Sequence, residues 1–296
     1  KYNPDLVHFP HFNVPISYSE KYVVTIHDLL MHWQKGKDAT TLPAPLYFTK
    51  RLAYKSIFRK AVRGAEKIIV PSNAVKKEVV SYYNIDPEKI CVIYEGVDLS
   101  KITDLNVNGL TKRYGLHAPY FIYTGNAYPH KNLERAIKAV VRLNESTKAS
   151  FAIVSSRNIF TARLEKIIKE NNAQDFIRLL GFVPDPELAL LYKESVGFLY
   201  PSLSEGFGLP GLEAMAAGTV SLVSEIPVFR EVYEDRVVYF DPYKFESITS
   251  ALEKVLNFKA EERRKLILGG QKFIEKYSWE KMVQETLSVY KTAGVL

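Results

Sequence analysis

The sequence predicts an α/β protein built from two doubly wound halves, and three observations carry that expectation. Short runs of β-branched and aromatic residues alternate with longer stretches of helical apolar spacing along the chain, the pattern of largely parallel sheets flanked by helices. The 296 residues, 47% of them hydrophobic, exceed the usual size of one domain and suffice for two cores. In the second half, two of the strand runs lead into loops that combine glycine, proline and the start of a helical pattern.

In the front half, strands are expected at 6–9, 22–26, 67–70 and 90–94, with helices over 46–63 and 73–83. Residues 100–119 lack sustained periodicity and include Asn106, Asn108 and Gly109, so they read as a linker, with the boundary near Pro119. The second half is more regular, with strands expected at 120–124, 151–155, 177–182, 196–200, 220–223 and 237–240, each followed by a helix-like segment. The organisation that results is a partial first domain and linker over 1–118, a second domain over 119–276, and a C-terminal helix over 277–296 returning toward the first. For six parallel strands the common order is 3-2-1-4-5-6, which makes the first and fourth neighbours. Their carboxyl ends then flank a topological switch point, where open α/β sheets bind ligands. The loops that matter are therefore 125–131 and 202–210.

The formal charge of +7 is unevenly placed: residues 1–118 hold 17 Lys and Arg against 11 Asp and Glu, and the remainder 23 against 22. Charge of this kind suits an acidic acceptor or an anionic surface, and marks the front half as the contact face. Nucleic acid is not expected as a partner, because no helix-turn-helix spacing or base-stacking platform accompanies the charge. The single cysteine, Cys91, lies in the apolar run 90–94 and reads as a buried, inert thiol, which excludes a disulfide framework. No run of 18 apolar residues occurs, so a cytoplasmic chain, peripheral to the inner face of a membrane at most, is expected. The basic residues Lys50, Arg51, Lys55, Arg59, Lys60, Arg63 and Lys67, interleaved with Leu52, Tyr54, Ile57, Phe58 and Val62, fit a helix meeting anionic lipid or an ordinary helix with a solvated basic face.

The loop after the fifth strand run reads Gly125-Asn126-Ala127-Tyr128-Pro129-His130-Lys131-Asn132. A helix is expected to open near Pro129 to Asn132, since proline suits a first helical position. Its free N–H groups make an anion site to which Lys131 adds a cation. The loop after the eighth run places Gly206, Gly208 and Gly211 around Phe207, Leu209 and Pro210, with Glu205 before them and Glu213 in the first turn of the helix that follows. Glycine there lets the backbone approach a ligand closely. Each feature alone has a plainer reading: a solvated lysine, a loop acid, a glutamate complementing a helix dipole. Together, two helix ends, one lysine and two carboxylates fall at the two loops the topology brings together. A nucleoside diphosphate-sugar would use all of them, the carboxylates accepting from sugar and ribose hydroxyls.

The stretch from Tyr200 through Glu205 and Glu213 to Gly218, with seven residues between the glutamates, resembles the EX7E signature of family 4 glycosyltransferases. Pro129-His130-Lys131-Asn132, Gly181-Phe182-Val183, Phe240-Asp241-Pro242, Gly96-Val97-Asp98 and Tyr277-Ser278-Trp279 also resemble that family, so the likeness covers nearly the whole chain. It implies a GT-B fold of two Rossmann-like domains and a retaining, metal-independent hexosyltransferase using a GDP-mannose or UDP-hexose class donor. The acceptor would be a glycan or lipid-linked sugar, with the nucleotide-sugar as substrate and no cofactor. Glu205 would contact the donor sugar, Glu213 the ribose and Lys131 the diphosphate, while Gly125, Asn126, Phe182, Val183, Gly206, Phe207, Gly208 and Leu209 would line the nucleotide. A basic residue usually follows the loop glycine in that family; Asn126 stands there, which leaves Lys131 with more of the burden. Val23-Val24-Thr25-Ile26-His27-Asp28 is similar to the strand whose histidine faces the transferred sugar, making His27 the third catalytic candidate, although a strand-end histidine bonded by Asp28 has the same sequence.

His27, Asp28 and His32, or His8 with His11, reproduce neither an HExxH helix nor a Cys/His knuckle, and no Asp-x-Asp pair is present, so no metal site is expected. Only five residues precede the first strand run and no glycine occurs before Gly36. The resemblance therefore implies a front domain lacking its opening units, to be completed by a missing N-terminal segment or a partner chain. A sugar-nucleotide epimerase and a silent nucleotide-sugar-binding module are the rival readings.

Overall fold

The computed structural model describes residues 4–33, 42–98 and 109–294, and the expected linker before Gly109 lies outside the described residues. By internal contacts the chain divides into two compact units, the first holding Lys1–Gly96, Glu205–Phe207 and Tyr277–Leu296, the second Val97–Ser204 and Gly208–Lys276.

In the first unit β1 (Val7–Phe9), β2 (Tyr22–Thr25), β3 (Lys67–Val70) and β4 (Ile90–Val92) form a parallel sheet in that order. A strand covered on both faces reads as a continuous apolar run, and every residue of β2 is buried. Helices α1 (Leu30–Trp33), α2 (Ala44–Gly64) and α3 (Asn73–Tyr83) belong to this unit. Val24, Ile26, Ile68 and Val70 share a core with Phe58, Ala61 and Val62 of α2 and Val75 and Val79 of α3. The start of α3 is fixed by Ser72, whose Oγ accepts from the Val75 N–H at 3.2 Å. Its end is fixed by Asn84, left-handed at φ 49°, whose N–H returns to the Val80 carbonyl.

The second unit holds β5 (Tyr120–Thr124), β6 (Ser150–Val154), β7 (Ile177–Leu179), β8 (Gly197–Tyr200), β9 (Ser221–Ser224) and β10 (Val238–Phe240), all parallel in the order β10-β9-β8-β5-β6-β7. This is the expected 3-2-1-4-5-6 arrangement seen from its other edge, with β5 beside β8. Its helices are α4 (Leu110–Arg113), α5 (Leu133–Leu143), α6 (Ile159–Glu170), α7 (Asp185–Glu194), α8 (Leu209–Ala216), α9 (Pro227–Tyr233), α10 (Phe245–Leu256) and α11 (Ala260–Phe273). On α5 the 3-4 spacing of Leu133, Ala136, Ile137, Val140 and Leu143 buries one face, and α10 packs against that helix. The core is aromatic, with Tyr120, Phe121, Tyr123, Phe151, Phe198, Tyr200, Phe229 and Tyr233 all fully buried.

The last helix, α12 (Trp279–Thr292), belongs to the first unit. Val289 of α12 and Ala293 after it pack on Val23, Ile69 and Ile93, the sheet face opposite α2 and α3. A Cβ on Gly96 would overlap the backbone nitrogen of Trp279, so the Gly96-Val97-Asp98 and Tyr277-Ser278-Trp279 stretches meet where only glycine fits. The strands expected at 90–94 and 177–182 each end early, at Val92 and Leu179. Cys91 is half-buried, a partial correction to its expected burial, and desolvation still pushes its thiol up and keeps it protonated. Among the described residues no helix is long and apolar enough to cross a membrane.

Candidate functional site

In the second unit the carboxyl ends of β5, β8 and β10 are tied together by one side chain. The Asn132 amide donates to the carbonyls of Pro201 at 3.0 Å and Pro242 at 2.8 Å, while its own oxygen accepts from Arg135 at 2.7 Å. Asn132 sits in the left-handed region at φ 59°, which asparagine tolerates better than most residues. The Leu203 N–H also donates to the His130 carbonyl at 2.7 Å, so the loops after β5 and β8 are joined directly. The helix expected to open near Pro129 to Asn132 opens at the end of that range: Pro129–Lys131 is a separate 3-10 turn, and α5 begins at Leu133 with Asn132 as its N-cap. The left-handed Asn132 separates them, because its conformation cannot continue a helix.

Lys131 is held in that turn and is only 9% exposed, its Nζ lying 5.7 Å from the centre of the Tyr200 ring. The α8 loop is shaped by Tyr233 of α9, whose hydroxyl donates to the Gly208 carbonyl. Gly208 has φ +116°, and a Cβ on it or on Gly211 would run into that hydroxyl. Here glycine is required both by conformation and by space. Glu213 is the fifth residue of α8 and exposed. It therefore lies in the second turn and not the expected first, too far along the helix to complement its dipole. Ser155, after β6, and Ser202, after β8, are buried, and their Oγ atoms find no partner among the described residues. These residues follow the two strands that flank β5, and buried hydroxyls so placed ordinarily bond a ligand or water.

Of the remaining nucleotide candidates, Gly125, Asn126, Phe182, Val183 and Leu209 lie in the same unit. Gly125 takes φ +137°. The exposed Asn126 shapes its own turn: its side-chain oxygen accepts from the Tyr128 N–H at 3.3 Å and its carbonyl from the Tyr123 hydroxyl at 2.7 Å. A positive-φ Gly181 turns the chain so that Phe182 is 83% exposed while Val183 is buried. Leu209 opens α8.

The first unit holds His27, Glu205, Gly206 and Phe207. A Cβ on Gly206 would overlap the His27 carbonyl oxygen, and the Gly206 carbonyl accepts from Ser72 Oγ at 2.9 Å. Phe207 is buried with its ring 5.9 Å from that of Tyr94 and 5.5 Å from that of Tyr277. His27 is not bonded by Asp28. Its Nδ1 lies 3.3 Å from Glu95 Oε1 and its Nε2 3.1 Å from the Pro10 carbonyl, and the hydrogen bond to Glu95 raises its pKa above the ordinary value. The Asp28 carboxylate instead accepts from the Leu30 N–H at 2.9 Å, and burial pushes it above the usual carboxylate range. Sequence reasoning missed Glu95, which stands one residue before a motif that was read. His8 is occupied by Tyr290 and Thr25, at 2.6 and 2.9 Å, and His32 by Tyr83 and Tyr54, at 2.6 and 2.8 Å. No group of three His, Cys, Asp or Glu among the described residues is arranged to hold a metal.

Two parallel α/β sheets, with loops pinned at the switch point of the second, give the GT-B architecture. Residues 114–273 match the family described as glycosyl transferases group 1, and residues 1–101 match glycosyltransferase family 4; the chain belongs to the former family and carries the latter's domain in front. It is 27% identical over 282 residues to the O-antigen chain mannosyltransferase RfbU of Salmonella typhimurium, spanning 95% of this chain and 72% of that protein. To O-antigen chain mannosyltransferase B of Escherichia coli it is 26% identical over 297 residues, spanning 98% and 75%. Among solved structures, sucrose-phosphate synthase from Thermosynechococcus elongatus superposes with a TM-score of 0.78 at 18% identity, over 97% of this chain and 73% of that one. A glycosyltransferase from Rickettsia africae gives 0.76 at 20% identity, over 98% and 76%. At such identities these structures speak to the fold alone.

Proposed function

We propose that this glycosyltransferase moves a hexose, with mannose from GDP-mannose the first choice, onto a glycan or lipid-linked acceptor with retention at the anomeric carbon. The sugar is suggested by the two O-antigen mannosyltransferases that align with nearly the whole chain. The observation that carries the site is the joining of the β5 and β8 loops by His130, Leu203 and Asn132 around a buried Lys131. A lysine so placed pairs with a diphosphate better than with water, because desolvation strengthens its interaction with an anion. Glu213 takes the ribose hydroxyls and Glu205 the donor sugar. In the transfer step the acceptor oxygen bonds to the anomeric carbon as that carbon parts from the phosphate oxygen, which takes the acceptor's proton. No strong protein base is needed, and the work of Lys131 and of the backbone N–H groups is to stabilise the leaving charge. The exposed Leu46, Phe48 and Leu52 of the basic helix α2 suit peripheral contact with anionic lipid.

Binding raises apparent stability by mass action, so GDP-, UDP- and ADP-sugars are compared by thermal shift, and transfer is measured with and without excess EDTA. Glu213→Ala is expected to weaken donor binding and Glu205→Ala chiefly to slow transfer, each by about 1.5 to 3 kcal/mol for a lost charged hydrogen bond. Unchanged affinity and turnover in both variants would sink the site assignment, and transfer abolished by EDTA and restored by Mg²⁺ would sink the metal-free mechanism.

A further inference from the structure

Three strand ends of the first sheet converge on the His27 ring. His27 stands two residues past β2, Pro10 directly follows β1, and Glu95 lies three residues past β4. The ring is 45% exposed at its side chain and Glu95 only 16%. Its two nitrogens meet two groups that can only accept: a carboxylate oxygen at 3.3 Å and a backbone carbonyl at 3.1 Å. A neutral imidazole carries one N–H and can satisfy one of them, whereas an imidazolium satisfies both. We infer that Glu95 is a positioning residue that, with the Pro10 carbonyl, favours His27 as an imidazolium, so that His27 serves transfer as a cation and not as a base.

The surrounding groups fit this assignment. Besides Glu95, the charged and titratable groups facing His27 are Asp28, which favours its cation, and His8 and His11, which oppose it. Both of those histidines are lowered, first by burial and then by the charge of His27 itself. The His11 ring lies 6.5 Å from that of His27. As pH falls His27 therefore takes its proton before His8 and His11 do. The consequence for transfer has a definite sign. A raised pKa keeps the imidazolium to higher pH, so activity that needs the charge declines as pH rises through the His27 pKa.

The role in transfer rests on the proposed function, whereas the charge state does not, and the experiment separates them. In the full chain, the His27 ring is titrated by NMR in the wild type and in Glu95→Gln, alongside pH profiles of kcat and KM for GDP-mannose. The expected result is a His27 pKa above 6.5 in the wild type that falls in Glu95→Gln. With it, turnover above neutrality should drop about tenfold, the size of one charged hydrogen bond, and recover toward acid pH, with KM moved less than kcat. Glu95→Asp, which keeps the charge, should restore part of the alkaline activity. A His27 titration identical in both proteins would overturn the inference, as would a turnover loss equal at all pH values, the mark of a merely structural role. If His27 titrates as expected but the wild type transfers no sugar from any donor, the functional reading falls while the pairing stands.

Discussion

The two units hold their candidate residues by different means. In the second unit the β5 and β8 loops are held by backbone carbonyls and N–H groups, by glycines that clear Tyr233, and by the single amide of Asn132. In the first unit the corresponding strand ends carry titratable side chains, and their chemistry is set by which neighbours accept and which donate. Within six residues, His27 faces two acceptors and is driven toward its cation, while His32 is buried among tyrosines and driven to neutrality by that burial, at a pKa of about 4. A site made of backbone is specified by topology and a few glycines, whereas a site made of charges is specified by three-dimensional neighbours.

The largest expected effect lies in the backbone-built half. Lys131→Ala removes a cation from loops held by backbone contacts, and in the proposed transfer the diphosphate gains negative charge as the glycosidic bond breaks. Turnover should fall by about 100-fold or more, as when a preorganised donor is removed from a developing anion, with donor affinity affected less. A loss confined to affinity would mean that the loop merely binds, and the contrast with the first unit would then rest on ground-state contacts alone.

That contrast also explains what the sequence disclosed. All ten strands among the described residues were legible because β-branched and aromatic runs between helical patterns survive without knowledge of neighbours, and the sheet order of the second unit followed from the rule for doubly wound halves. The junction of the two loops followed in turn. Hidden were the pairings set by long-range contact: Glu95 with His27 across 68 positions, and Asn132 with Pro242 across 110. The helix expected to open near Pro129 to Asn132 opens at the far end of that range, after a separate 3-10 turn, because Asn132 is left-handed. The place of Glu213 in α8 was misread because α8 starts at Leu209, directly after the positive-φ Gly208.

A second test concerns the neutral side of the first unit. His32 is 3% exposed, with Tyr83 and Tyr54 on its two nitrogens and the ring of Phe58 at 4.5 Å. Burial lowers its pKa from 6.5 to about 4. Between those values the unfolded chain binds a proton that the folded chain does not, so the stability His32 confers is full above pH 6.5 and is lost as pH falls toward 4. The loss should reach roughly 2 to 3 kcal/mol. Urea unfolding of the wild type and His32→Gln at pH 7 and pH 4.5 isolates it, since the carboxylates that titrate in the same range are common to both. An equal acid loss in the two proteins would remove His32 from the account.

The smallest effect asks whether charge can be added to the backbone-built half at all. Asn126 is exposed, and among the described residues its side chain is engaged in its own turn, accepting from the Tyr128 N–H at 3.3 Å. An arginine there can extend toward a bound diphosphate, but it does so from water. Exposed ion pairs contribute about 0 to 1 kcal/mol and are screened by salt. Asn126→Arg should therefore tighten donor binding by about fivefold at most, and calorimetry at low ionic strength and in 0.5 M salt should find the gain only in the former. A gain that persists in high salt would mean that the loop closes over the added side chain and shields it. The cradle would then owe as much to mobile charge as to fixed backbone, and the division between the two units would narrow.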